Sequence, residues 1–182
     1  TAQRRAFEAT RQRATWELDT ARKRLANYEK DVAPTRNDAA RVQDISGDRF
    51  MAEIAGANVA ERKAAGTAIL TKLLAVDPRG YMRPSVVDIG RMSGFDMKLE
   101  LRSAWDRENG YLLRATRILK GDSGYSSPNE IVINKATDPV GFIMGYERLL
   151  KSIKEHPERI ENEINIERGN VDRLQKTLKE EW

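Results

Sequence analysis

Phe95-Asp96-Met97-Lys98-Leu99-Glu100-Leu101-Arg102 alternates apolar and charged side chains without a break. In a β-strand successive side chains point to opposite faces, so Phe95, Met97, Leu99 and Leu101 share one face. Asp96, Lys98, Glu100 and Arg102 share the other. One face is core and one is water, which is the pattern of an antiparallel sheet covered on a single side. Downstream, Asp106-Arg107-Glu108-Asn109-Gly110 reads as a hairpin turn into a second strand, Tyr111 to Leu119, and Glu130-Ile131-Val132-Ile133 as a further short strand. Upstream, Phe50, Ala52 and Ile54 alternate with Met51 and Glu53, and Gly56-Ala57-Asn58 supplies a turn before Val59. That predicts another short hairpin. A helix over Glu61 to Leu74 follows, with Ala65, Ile69 and Leu73 on one face and Ala68 beside them.

Outside this region the period changes from two to nearly 3.6. Phe7, Ala14, Leu18, Ala21, Leu25, Tyr28 and Val32 follow three-and-four spacing, broken only by Arg11. Ile153, Ile160, Ile164, Val171, Leu174 and Leu178 repeat it at the other end, with Pro157 placed where a helix could start or kink. Such seams belong to coiled coils. Pro34 is expected to end the first helix, and Gly169 to mark a bend in the second. At about 1.5 Å per residue the first 32 residues span roughly 48 Å, longer than a small core can cover. Residues 1–36 carry nine basic and five acidic side chains, whereas 121–182 carry nine and twelve, so opposite net charges flank the two seams. An intramolecular antiparallel pair, and hence a monomer, is favoured over self-pairing.

The expected fold is therefore α+β: a small antiparallel sheet with one or two packed helices, flanked by long terminal helices in an antiparallel coiled coil. The domain division is 1–36, a coiled-coil helix; 37–150, the α+β module; and 151–182, the second coiled-coil helix.

The chain has 182 residues, of which 40% are hydrophobic, enough for a real core. No stretch approaches the apolar length of a membrane span, and the first residues lack a signal peptide, so the expected compartment is the cytoplasm. There is no cysteine and a single histidine, His156, which excludes disulfides, thiolate chemistry and cysteine-ligated metals. A first residue other than methionine, already inside a helical pattern, leads us to expect a piece of a longer protein.

Gly121-Asp122-Ser123-Gly124 matches the residues around the nucleophile of chymotrypsin-like serine proteases. A triad needs a histidine to take the serine proton. His156 instead precedes a proline at the start of the acidic arm, so the stretch reads as a glycine-rich loop leading to Ser126-Ser127-Pro128. Asp138-Pro139 reads as a helix N-cap with proline at the first helical position, and Gly141 with Gly145 as close packing of that helix on the sheet. No glycine-rich loop ends in the Gly-Lys-Ser/Thr of a phosphate cradle. Carboxylates in 155–181 occur at helical spacing among basic residues, as on solvated coiled-coil flanks. No catalytic or metal-binding residue is assigned.

Residues 79–120 hold nine basic side chains against five acids, alongside Tyr81, Trp105 and Tyr111. Basic residues interleaved with aromatics can follow a phosphate backbone and stack bases. Candidate nucleic-acid contacts are Arg79, Arg83, Arg91, Arg102, Arg107, Arg114 and Arg117 for phosphate, with Trp105 and Tyr111 for stacking. The alternative is an ordinary solvated face. The run Arg4, Arg5, Arg11, Arg13 and Arg22-Lys23-Arg24 is expected to flank the seam.

Several phrases, in order, carry a resemblance: Phe50-Met51 through Gly56, Glu61-Arg62-Lys63-Ala64-Ala65-Gly66, Ile89-Gly90-Arg91-Met92-Ser93-Gly94-Phe95, Pro139-Val140-Gly141 and Tyr146-Glu147-Arg148-Leu149-Leu150. From about Phe50 onward the chain resembles the C-terminal region of the very large DNA methylase and helicase proteins of conjugative plasmids, integrative elements and phages. Their helicase is of the Swi/Snf-like superfamily-two type. The resemblance implies a non-catalytic accessory module, helping a DNA-processing parent to bind or position DNA. ATP, and S-adenosylmethionine where a methylase is present, would bind elsewhere in that parent. It transfers no catalytic residue. The rival expectation is a coiled-coil interaction or oligomerisation module without nucleic-acid contact.

Overall fold

A computed structural model describes residues 1–180. The elements in order are α1 (Ala2–Arg41), β1 (Ala52–Ile54), β2 (Ala57–Val59), α2 (Arg62–Leu74), β3 (Ser85–Met92), β4 (Phe95–Asp106), β5 (Gly110–Lys120), β6 (Gly124–Ser126), β7 (Ile131–Ile133) and α3 (Pro139–Lys179). Short 3-10 turns lie at Gly47–Arg49 and Pro78–Tyr81. The fold is α+β: a long N-terminal helix, an antiparallel sheet and a long C-terminal helix. The chain forms two compact units, one of residues 1–36 with the segment from Glu155 onward, the other Asn37–Lys154. No helix among the described residues is long and apolar enough to cross a membrane.

Residues 37–154 are built on a seven-stranded sheet of order β2-β1-β3-β4-β5-β6, with β7 pairing β5 beside β6. Every pairing is antiparallel. The 95–102 alternation is realised as read, with Phe95, Met97, Leu99 and Leu101 almost wholly buried. Helices α2 and α3 supply the matching surface, through Ala65, Ile69, Leu70 and Leu73 from one and Phe142, Ile143, Tyr146, Leu149, Leu150 and Ile153 from the other. Tyr146, fully buried, donates its hydroxyl to the Lys98 carbonyl at 2.7 Å, so its polar end is satisfied inside the core.

Four local expectations are corrected. The turn after β1 lies at Ala55-Gly56, both at positive φ, one position earlier than expected. A two-residue hairpin needs that left-handed backbone to match the strand twist. Ala68 on α2 is exposed, and Gly66 and Leu70 flank the buried face instead. A Cβ at Gly66 would overlap the backbone of Pro139, where α3 begins. Strand β3 was not foreseen because it does not alternate cleanly: its register shifts between Asp88 and Gly90. Strand β6 lies within what reads as a glycine-rich loop.

The other unit is the helical pair. Arg24 meets Glu167, Arg168 meets Glu29 and Arg36 meets Glu161. Arg11 reaches Leu178, Arg24 Glu167 and Arg36 Glu161, so numbers rise on α1 as they fall on α3 and the pair is antiparallel. Ala14, Leu18, Ala21 and Leu174 form its buried core, with Val171 and Leu178 against them. Arg11, the break in the seam, donates from Nη1 to the carbonyls of Leu178 and Glu180 at 2.9 and 3.0 Å, taking up acceptors that a helix end leaves open. Pro34 does not end α1, which continues to Arg41. The Thr35 hydroxyl donates to the carbonyls of Asp31 and Val32 in the turn that proline disturbs. Likewise α3 runs unbroken through Pro157 and Gly169.

Candidate nucleic-acid interface

Alternation along β4 and β5 decides which candidates can act together. Arg102 stands directly opposite Arg114, and Trp105 directly opposite Tyr111. Trp105 is three residues from Arg102, so the two pairs lie on opposite faces of the hairpin. The aromatic pair is in phase with the core residues Leu101 and Leu113 but stands beyond them, where the strands outrun their helical cover. Trp105 is 69% exposed and Tyr111 41%. Their rings meet edge to face, with centroids 5.0 Å apart, a favourable aromatic geometry.

The nine candidates therefore do not form one patch. Arg91 and Arg102 lie on the water-facing side with acids beside them. Arg91 lies 3.6 Å from Asp96, and Arg102 contacts both Glu130 oxygens at 2.5 and 2.8 Å. The hydrogen bond to Arg102 holds the Glu130 carboxyl below its usual range. Arg114 shares this face, with its Nε buried and unpaired. Arg117 is the clear correction: in phase with Ala115 and Leu119, it is only 7% exposed. Its Nε donates to the Phe142 carbonyl at 2.9 Å and its guanidinium lies over the Phe142 ring. An arginine inside the core cannot track a DNA backbone along the surface.

What remains gathers near the end of the β4–β5 hairpin. The turn Pro78–Tyr81 packs on both strands. Arg79 is held by Asp77 at 3.0 Å, and its charge is close enough to feel Tyr111. Arg107 lies in the hairpin turn itself, exposed, and Arg83 is exposed just beyond the 3-10 turn. Among the described residues neither has a carboxylate within salt-bridge distance. Asp106 is committed to the turn, accepting from the Glu108 amide at 2.7 Å, which lowers its carboxyl below the usual range. Met82, 62% exposed, is the apolar neighbour of Arg83 in sequence.

The protease-like stretch has a structural explanation. Asp38, fully buried, accepts from the amides of Asp122 and Ser123 at 2.7 and 2.9 Å and from the Tyr125 hydroxyl at 2.8 Å. The loop wraps a carboxylate. A side chain at Gly121 would strike that carboxylate and the Phe95 ring, so glycine is required for the close approach. Arg41 adds a 2.9 Å bond to Asp122, the main reason the Asp122 carboxyl lies below its usual range. Nothing in the spacing of Asp38 relative to the loop marks it in the sequence.

No family model, curated protein or solved structure matches the chain.

Proposed function

We propose that this chain is a non-catalytic accessory module of a larger DNA-processing protein, and that it contacts unpaired DNA through the end of the β4–β5 hairpin. The observation that carries the reading is Trp105, largely exposed and braced edge-on by Tyr111, with Arg79, Arg83 and Arg107 nearby. Exposing an indole to water forgoes its burial, whereas a stacked base would cover it. Base stacking on an aromatic contributes about 1–3 kcal/mol per base and tolerates any sequence. The resemblance of residues 50 onward to the C-terminal regions of methylase and helicase proteins supports the same reading.

Fluorescence anisotropy with single-stranded and double-stranded oligonucleotides over a salt series tests it. Two phosphate contacts on a single strand, from Arg83 and Arg107, give a slope of log K against log salt of about −1.4. Trp105→Ala should weaken single-strand binding by roughly 5- to 150-fold, and Arg83→Ala with Arg107→Ala should flatten the slope. Replacing Arg102 and Arg114 should change little. Absence of binding at low salt would favour the rival reading, in which the helical pair recruits a protein. Trp16, 69% exposed on that pair, is what speaks for it.

A further inference from the structure

Arg117 is a buried cation without an anion. Burying a guanidinium is costly unless an opposite charge accompanies it, yet no carboxylate among the described residues lies within salt-bridge distance. Its partners are one carbonyl, of Phe142, and the faces of Phe142 and Tyr146. Burial first, and the like charge of Arg148 as well, push its pKa down, against an opposing influence of Tyr146. The side chain also lines a cavity of about 560 Å³ together with Arg148, Ser126, Ser127 and Asn129. The guanidinium rests on Gly145, itself in the cavity wall, where a Cβ would overlap it. The wall is held in place, because the Ser127 amide donates to the Arg117 carbonyl at 2.9 Å. Arg148 is exposed, and its neighbour Glu147 is bound instead to Arg62 at 2.6 Å.

Two arginines without a counter-charge, two serines and an asparagine line one cavity. A carboxylate would neutralise one of the two cations; a phosphate monoester dianion would neutralise both and offers three acceptor oxygens to the forked donors. Ile131, Leu149 and Pro128 complete the wall with apolar surface suited to an organic remainder, and the volume is that of a small-ligand site. We propose that this cavity is a binding site for a phosphate monoester of nucleotide size, with Arg117 and Arg148 as its two cationic contacts. The site is separate from the hairpin end and does not depend on the DNA reading.

The test uses the whole chain, with thermal unfolding and titration calorimetry against inorganic phosphate and adenosine 5′-monophosphate. Sodium chloride at matched ionic strength and adenosine serve as controls. At a hundredfold excess over Kd, phosphate should raise Tm by about 5–10 °C. Arg148→Gln, at an exposed position, should fold normally and weaken binding about tenfold or more. Arg117→Met, which removes the lone buried charge at similar volume, should lose the phosphate response entirely. If Arg117→Met does not fold, Arg148→Gln still decides. The proposal is overturned if phosphate leaves the wild-type Tm at the chloride value, if Arg148→Gln binds as wild type does, or if adenosine binds as well as its monophosphate. Competition by a 5′-phosphorylated oligonucleotide would identify a strand end as the source of the phosphate. Competition by the mononucleotide alone would identify a free metabolite; both results uphold the phosphate site.

Discussion

Asp38 shows how one residue can organise a loop that looks catalytic. Its carboxylate receives three donors, two of them amides of the loop that reads like a protease nucleophile. Hydrogen bonds to a buried charge contribute more than neutral ones, and a donor left without its acceptor costs about 1–3 kcal/mol. Asp38→Ala, which strands all three, should therefore lower unfolding free energy by about 3 kcal/mol or more, read from urea titration. Tyr125→Phe, which removes one donor, should cost about 1 kcal/mol. Gly121→Ala should cost about 1–3 kcal/mol, because the added methyl has nowhere to go. If these variants are as stable as the wild type, the cradle is not holding the loop. Ser123→Ala leaves every Asp38 bond in place, since the backbone amide is the donor, and removes only a side-chain hydrogen bond with Tyr125, so it should cost about 1 kcal/mol or less.

Within the helical pair, apolar spacing and polar exceptions have separate consequences. Glu167 occupies the seam between Ile164 and Val171 and is 6% exposed. Arg24 reaches one carboxylate oxygen at 3.1 Å, but the other is buried without a partner. Half-satisfied buried charges are often worse than a well-packed apolar side chain. Glu167→Leu should thus stabilise the pair by about 1–3 kcal/mol, seen as a higher midpoint in thermal unfolding followed by helix circular dichroism. Gly169 has open space where a Cβ would be, so Gly169→Ala should add about 0.5–1 kcal/mol. His156, on α3, has a pKa below its ordinary value, first through burial and next through Arg159, with Asp31 acting the other way. The unfolded chain then binds more protons than the folded one just below the ordinary histidine pKa, so stability falls as pH drops through about 6.5. The carboxylates held low by hydrogen bonds, Asp122 and Glu130 among them, lose their contribution only nearer pH 4. His156→Gln should flatten the stability profile between about pH 5.5 and 7 while leaving the acid limb intact; an unchanged profile would refute the assignment.

At the scale of the molecule, the two seams occupy each other within one chain, and the charges flanking them pair across the interface. Sedimentation equilibrium should therefore give the mass of a monomer, 20.7 kDa. A dimer at micromolar concentration would mean that one seam serves a second copy.

Sequence periodicity by itself determined the α+β class, the long antiparallel helices, the β4–β5 hairpin and its turn, and the buried face of 95–102. Each follows from spacing along one segment, because a strand repeats every two residues and a helix every 3.6. Spacing also misled where local chemistry competes with context. Pro34 reads as a stop, but a single lost hydrogen bond is affordable in a helix packed along its length. The candidate interface was only half legible. Arg79 joins the Trp105–Tyr111 hairpin because its turn folds back onto β4 and β5, a long-range event. Arg91 and Arg102 could not be separated from Arg79 by composition, since their acidic partners are brought by register. Arg117 and Asp38 were the residues that only tertiary structure could place. Each is a charged side chain at a core position, and what sits beside it depends on elements distant in the chain. The first meets Phe142 and Gly145 of α3, and the second a loop more than eighty residues away.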